Sequence, residues 1–298
     1  MAKTRAKRPG TADSVVEGQL NNCLEEIEDH LTAHCLVILG PMYYGIDGMV
    51  RDAIEARVQV KPKRRRLIVI VETSGGYIEV VQRIVQVIRH HYGNVEFIVP
   101  NFAMSAGTVL VLSGDAVWMD YYSILGPIDP QVDGASGRKV AALGYLEKYR
   151  EFIEKSQKNQ LTTAEMAYFV QRFDQAELYA YEQARELSVN LLIDWLAKYK
   201  FKNWKQTEKR KEKVTLTKRR ARAKEIGELL NKTDEWHSHG HGLSMEILRK
   251  KVNLIIDDLA DDEDLYRSVR EYYSLLSHYT SRMGHKAVVQ TVGRYQAV

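Results

Sequence analysis

The chain has 298 residues, 45% of them hydrophobic and 28% charged, with a net charge of +4. This is the composition of a folded globular protein, one large domain or a core with an appendage, and it excludes a low-complexity or collagenous chain. Cys23 and Cys35 are the two cysteines. They imply no disulfide framework and fit a reducing, cytoplasmic setting.

The opening MAKTRAKRPGTADS is basic, and no apolar segment of the kind a secretory signal needs stands behind it. Residues 1–13 are expected as a disordered basic tail. No run reaches the roughly 18 apolar residues of a membrane span. From 14 to 32 the apolar residues Val15, Val16, Leu20, Leu24, Ile27 and Leu31 recur at helical spacing. Residues 35–39 read as a strand ended by Gly40-Pro41, and Asp47 as the cap of a helix through Val58. Residues 66–72 (RLIVIVE) form a continuous apolar run of strand length, which predicts a strand buried on both faces. Thr73-Ser74-Gly75-Gly76 follows, then an amphipathic helix over 77–92, a strand over 95–99, a short helix from Ser105 and a strand over 116–119.

Alternation of strand and helix with short connections predicts an α/β core over 14–139, with a parallel sheet and right-handed crossovers. Ligands in such sheets lie outside the carboxyl ends of the strands. Gly75-Gly76 and Ser105 both fall there. Residues 140–298 read as a mostly helical region. Its helices are expected over 140–157, 163–199, 217–230 and 244–252, and from the acid-rich stretch 257–264 through Met283. The last dozen residues are expected to fray. The positive charge is local: 198–224 holds 13 Lys and Arg against Glu208 and Glu212, which leaves the rest of the chain at −7.

Ser105 sits at a helix start among small residues, in Met104-Ser105-Ala106-Gly107-Thr108. Two readings apply. As a cap, its hydroxyl accepts a first-turn N–H. As a nucleophile, it needs a base and two donors for the oxyanion, and the orphan N–H groups of a first helical turn supply part of that requirement. Ala106 N–H is one such donor, and a glycine loop at the end of the neighbouring strand is the natural source of a second. Ser74 reads as the cap of the helix that follows it.

The motif set Glu72-Thr73-Ser74-Gly75-Gly76, Ala103-Met104-Ser105-Ala106-Gly107-Thr108, Gly114-Asp115 and Ser123 to Gln131 (SILGPIDPQ) resembles the Clp-protease/crotonase superfamily. Within it, the resemblance is to the serine dehydrogenase proteinases, relatives of signal peptide peptidase A. It covers about 36–131 and returns at Trp236-His237-Ser238-His239-Gly240. It implies a Clp-like fold, a nucleophilic Ser105, an oxyanion hole from Gly76 or Gly75 with Ala106, a peptide substrate and a homo-oligomer. Clp proteases take their base from a histidine after the serine, near where Ile128-Asp129 stands here. No histidine occurs between His91 and His237. Signal-peptide-peptidase-like relatives use a lysine, which must be desolvated to act near neutral pH. Lys139 is the first choice and Lys148 the second, each with a solvated surface lysine as its alternative. Asp129 reads as a loop brace, and His239 as a site-lining residue or alternative base.

Other chemistries have less behind them. His237, His239 and His241 alternate in a Gly-rich loop, without the i, i+4 helical spacing of zinc proteases. No metal and no cofactor is expected, and no GxGxxG supports a nicotinamide site. Nothing marks a coenzyme A site for crotonase chemistry. Tyr199, Phe201 and Trp204 among the lysines of 198–224 allow single-stranded nucleic acid as a partner, but a solvated or internally paired helical arm is the preferred reading. The function expected is peptide-bond hydrolysis through a Ser105 acyl-enzyme. The alternative is a Clp/crotonase-fold scaffold without activity, or a nucleic-acid-associated binding protein.

Overall fold

The computed structural model describes residues 11–128, 131–133, 139–172, 174–207, 210–231 and 242–298. In chain order, α1 (Ala12–Leu31) leads to β1 (His34–Leu39), α2 (Ile46–Arg57), β2 (Arg66–Glu72), α3 (Ile78–His91) and β3 (Asn94–Val99). The two-residue strand β4 (Phe102–Ala103) precedes the short helix α4 (Ala106–Val111), then β5 (Ala116–Met119) and β6 (Ile124–Leu125). A hairpin of β7 (Gln131–Asp133) and β8 (Lys139–Ala141) opens the helical part: α5 (Ala142–Gln157), α6 (Thr163–Arg172), α7 (Gln175–Trp195), a π-helical turn (Leu196–Lys200) and α8 (Leu216–Leu230). Then follow β9 (Leu243–Ser244), α9 (Met245–Lys250), β10 (Asp257–Asp258), α10 (Glu263–Met283), β11 (Val288–Thr291) and β12 (Arg294–Ala297).

Among the described residues, one seven-stranded sheet runs in the order β10-β5-β3-β2-β1-β11-β12. It is parallel from β10 to β1, and β11 and β12 add antiparallel strands. Period-two alternation sends successive side chains to opposite faces. Leu67, Val69 and Val71 of β2 pack with α2, α3, α4, α7 and α8, while Ile68 and Ile70 pack with α1 and α10. The continuous apolar run of β2 is thus explained by a layer of helices on each side. A buried ion pair ties α1 to α2: Arg57 Nη2 donates to Glu28 Oε2 at 2.5 Å, and Cys35 N–H donates to Glu28 Oε1 at 2.7 Å.

Several expected boundaries differ. The last dozen residues do not fray: β11 pairs with β1, and Val288 and Val289 are fully buried. The apolar pairs of that segment bury themselves by completing a sheet whose other strands lie far away in sequence. The long helix expected over 163–199 is divided between α6, α7 and the π-helical turn, with Asp174 capping α7 through Ala176 N–H at 2.7 Å. Ser74 is exposed and caps nothing, because α3 begins at Ile78 after Tyr77. Ser244 and Asp262 do cap their helices, accepting from Ile247 and Leu265 N–H at 3.4 and 3.0 Å.

Candidate active site

Beyond the carboxyl ends of β1, β2 and β3 the chain continues as a second set of short pairings, and these bring the sequence motifs together. Thr73 pairs with Ala103: Thr73 N–H donates to Phe102 O at 3.1 Å, and Met104 N–H to Thr73 O at 2.9 Å. On its other side β4 pairs in parallel with β6, Ala103 opposite Leu125. Met42, just past β1, pairs with Gly76. The segments 72–76, 102–108 and 123–126, separated in sequence, are therefore neighbouring strands of one small layer, with Ser105 at its end.

Ser105 forms the turn from β4 into α4. Its backbone lies at φ 53° and ψ −120°, a left-handed conformation that costs a residue with a Cβ about 1–3 kcal/mol. Its side chain makes no cap bond to α4, so of the two roles weighed from the sequence the cap is not the one adopted. Ser105 is 5% exposed. Strain of this kind recurs where a strand-to-helix turn presents a serine for reaction.

The glycines are there for close approach. A Cβ on Gly75 would lie 2.9 Å from Ser105 Cβ and 2.7 Å from Met104 O, and φ there is +93°. A Cβ on Gly107 would lie 2.3 Å from Thr73 Cγ2, so only glycine lets α4 settle onto the 72–76 segment. Gly75 N–H donates to Thr73 Oγ1 at 3.0 Å and is thereby used. Gly75 O accepts from Met42 N–H at 2.8 Å. A trans peptide holds its C=O and N–H antiparallel. The Gly76 N–H of that same peptide therefore points away from Met42, toward the side on which β4 and Ser105 lie.

Thr108, fully buried, locks this arrangement. Its Oγ1 lies 2.8 Å from both Ala103 O and Gly126 O and accepts from Gly126 N–H at 3.0 Å. Gly126 in turn packs on Met104, with a Cβ position 3.1 Å from Met104 Cα. Ser123 Oγ donates to Val99 O at 2.5 Å and fixes the start of the same motif. These supporting roles of Thr73, Thr108 and Ser123 were not read from the sequence. The signal was present in the motifs, but it has meaning only once the strands are paired.

The expected bases are distributed as follows. Lys139 opens β8, with its backbone opposite Asp133, and only its backbone is described. Lys148 is half-exposed on α5, donates to Glu151 Oε2 at 2.7 Å and lies 5.4 Å from the Phe152 ring, which makes it a surface ion pair and not a desolvated amine. Asp129, His237, His239 and His241 lie outside the described residues. Among the described residues no group of three or more His, Cys, Asp or Glu is placed to hold a metal, and no helix is long and apolar enough to cross a membrane.

The basic segment 198–224 is paired within the chain at some positions, while Lys198, Lys205, Arg210, Lys211, Lys213, Arg220 and Lys224 are exposed. Lys202 pairs with Asp115 at 2.6 Å, Arg220 with Asp194 at 2.9 Å and Arg222 with Glu225 at 2.7 Å, while Arg222 Nη2 also donates to Val252 O. Lys200, at the end of the π-helical turn, is desolvated by burial, which lowers its pKa to about 8 against the pull of Asp257, Asp115 and Glu96.

Comparison with known proteins gives three findings. Two curated relatives match, both uncharacterized proteins of Methanocaldococcus jannaschii. MJ0137 is 33% identical over 92 residues, 31% of this chain and 32% of the relative; MJ1495 is 29% identical over 121 residues, 40% of each. The match thus spans about a third to two fifths of their length. Two solved structures of mutants of the 1510-N membrane-bound stomatin-specific protease, one in complex with a substrate peptide, are similar at 14% and 16% identity. They cover 78% and 88% of this chain and 81% and 84% of theirs, with TM-scores of 0.42 and 0.43. The model of the ClpP-like SDH-type serine proteinases matches residues 33–208, more than half of the sequence and including every motif described around Ser105, and the chain belongs to that family.

Proposed function

We propose that the protein hydrolyses peptide bonds through an acyl-enzyme on Ser105. Ser105 Oγ attacks the scissile carbonyl carbon while its proton passes to the neutral Lys139 amine. The carbonyl oxygen becomes an oxyanion held by Gly76 N–H and Ala106 N–H. Collapse breaks the C–N bond, and the lysine ammonium returns the proton to the departing amine. Water then attacks the ester, giving its proton to the lysine, and the acid product leaves Ser105 with its hydroxyl restored. Gly75 contributes shape and not a donor, since its N–H is already given to Thr73.

The observation that carries this reading is the strained Ser105 turn packed directly on Gly75, with the Gly76 N–H directed toward its side of the layer. A nearby donor of this kind is worth about 3 kcal/mol in the transition state. Lys139 is favoured over Lys148 because Lys148 is paired at the surface. The test is digestion of a complex peptide mixture by the wild-type protein and by Ser105→Ala, with products read by mass spectrometry. New peptide ends with wild type and none with Ser105→Ala are expected. Equal cleavage by both would remove Ser105 from the mechanism, and no cleavage by either would favour the scaffold reading.

A further inference from the structure

The turn after β1 presents an aromatic surface beside Gly76. Tyr43, Tyr44 and Tyr77 are 44%, 65% and 50% exposed. The Tyr44 and Tyr77 rings lie 4.9 Å apart, tilted by 31°, and the Tyr43 and Tyr77 rings lie 5.9 Å apart, tilted by 55°. Contiguous exposed apolar area of this kind marks a contact site. Its position is fixed by the backbone. Met42 N–H donates to Gly75 O, Tyr77 N–H donates to Met42 O at 2.9 Å, and Tyr43 N–H donates to Pro41 O at 2.9 Å. The two segments that carry the rings are thus tied together across Gly76. A Cβ on Gly76 would lie 2.5 Å from Met42 O, which shows how closely they pass. Tyr77 follows Gly76 directly, about 3.8 Å from it along the chain.

We propose that Tyr43, Tyr44 and Tyr77 form a specificity subsite that receives an apolar or aromatic side chain of the peptide, next to the bond that Ser105 attacks. The inference rests on the peptidase reading above. The occupant is assigned to the substrate because the surface is continuous with the Gly76 peptide. Gly76 N–H faces away from Met42, so Tyr77, which follows Gly76 directly and lies against Tyr44, is the ring through which a substrate held by that N–H would reach the surface. Tyrosines are well suited to such contact, because large flat faces with two torsions each lose little freedom on binding. Their electron-rich faces favour apolar and aromatic groups and repel carboxylates.

The experiment has a binding arm and a cleavage arm. Fluorescein-labelled hexapeptides of Gly and Ser, each with one Phe, Leu, Ala or Asp at a varied position, are titrated with Ser105→Ala protein by anisotropy. At one position Phe and Leu are expected to bind roughly tenfold tighter than Ala, with Asp weakest. Adding Tyr44→Ala and Tyr77→Ala erases that order, while adding Tyr179→Ala, at an exposed tyrosine of α7, leaves it. In the cleavage arm the wild type shows the same order in kcat/KM, carried mainly by KM. An order that is absent, or that survives the Tyr44 and Tyr77 substitutions, overturns the subsite. A binding order with no cleavage by wild type overturns the peptidase reading, and with it the subsite's role in cleavage, and leaves only a peptide-binding surface at the three tyrosines. If sedimentation shows that the two substitutions dissociate an oligomer, the surface belongs to an interface between copies and the subsite is overturned.

Discussion

Glycine in place of Ser105 separates strain from chemistry. Both Ser105→Gly and Ser105→Ala remove the hydroxyl, so neither variant cleaves peptides in the proposed mechanism, and their stabilities compare the backbone alone. Alanine keeps a Cβ at φ 53°, ψ −120°. Glycine relieves it, recovering about 1–3 kcal/mol. Against that gain stand two ordinary losses: about 0.5–1 kcal/mol of extra chain entropy and about 0.8 kcal/mol for one buried carbon. At an unstrained buried site those losses alone would leave glycine about 1.5 kcal/mol below alanine. Here the two sides nearly balance, and Ser105→Gly is expected to equal Ser105→Ala or exceed it by about 1 kcal/mol. Urea unfolding of both variants at matched m-values reads the difference as a shift in midpoint. A glycine variant more than about 1 kcal/mol less stable than the alanine variant would refute the strain at this turn, and with it the main geometric support for a reactive serine.

Two further predictions concern the frame around the site. Thr108→Val keeps the shape but leaves Gly126 O and its neighbours without the Oγ1 that joins them. It is expected to cost about 1–3 kcal/mol of stability and to lower kcat more than it changes KM; unchanged urea midpoint and kcat would refute the bracing role. Lys200→Met removes an amine whose pKa is lowered to about 8 from the ordinary 10.5, so the unfolded chain binds a proton that the folded chain gives up between those values. The variant should therefore exceed wild type by about 3 kcal/mol below pH 8, with the gap closing as pH rises toward 10.5. A gap that does not change with pH would show that Lys200 is not desolvated.

The sequence carried the core plainly, because local pattern and tertiary role agree there. RLIVIVE has the length and continuous apolarity of a strand covered on both faces, and β2 is covered on both faces. β1, β3, β5 and the amphipathic α3 likewise form where their local pattern predicts them. Disagreement begins where a short segment takes its conformation from a distant partner. Residues 140 and 141 read as the start of a helix but belong to β8, paired with 131–133, and the terminal residues read as frayed but pair with β1.

The site divides in the same way. Residue types and spacing were enough to single out Ser105, Gly75, Gly76 and Ala106, since small residues at a strand-to-helix turn are required wherever backbones must touch. Only the tertiary structure decided which neighbours each of them meets. The pairing of Met42 with Gly76 commits Gly75 O to one side and turns the Gly76 N–H to the other, while Thr73 Oγ1 takes the Gly75 N–H. The pairing of Ala103 with Thr73 and Leu125 sets Ser105 at the end of the layer, and Thr108 holds it there. Likewise, Tyr43, Tyr44 and Tyr77 are ordinary surface residues in sequence and become one aromatic surface only across that pairing. The physical reason is common to all of these. A hydrophobic period is local and can be counted along the chain, whereas the direction of an N–H or the company of a ring is set by whichever strand lies alongside.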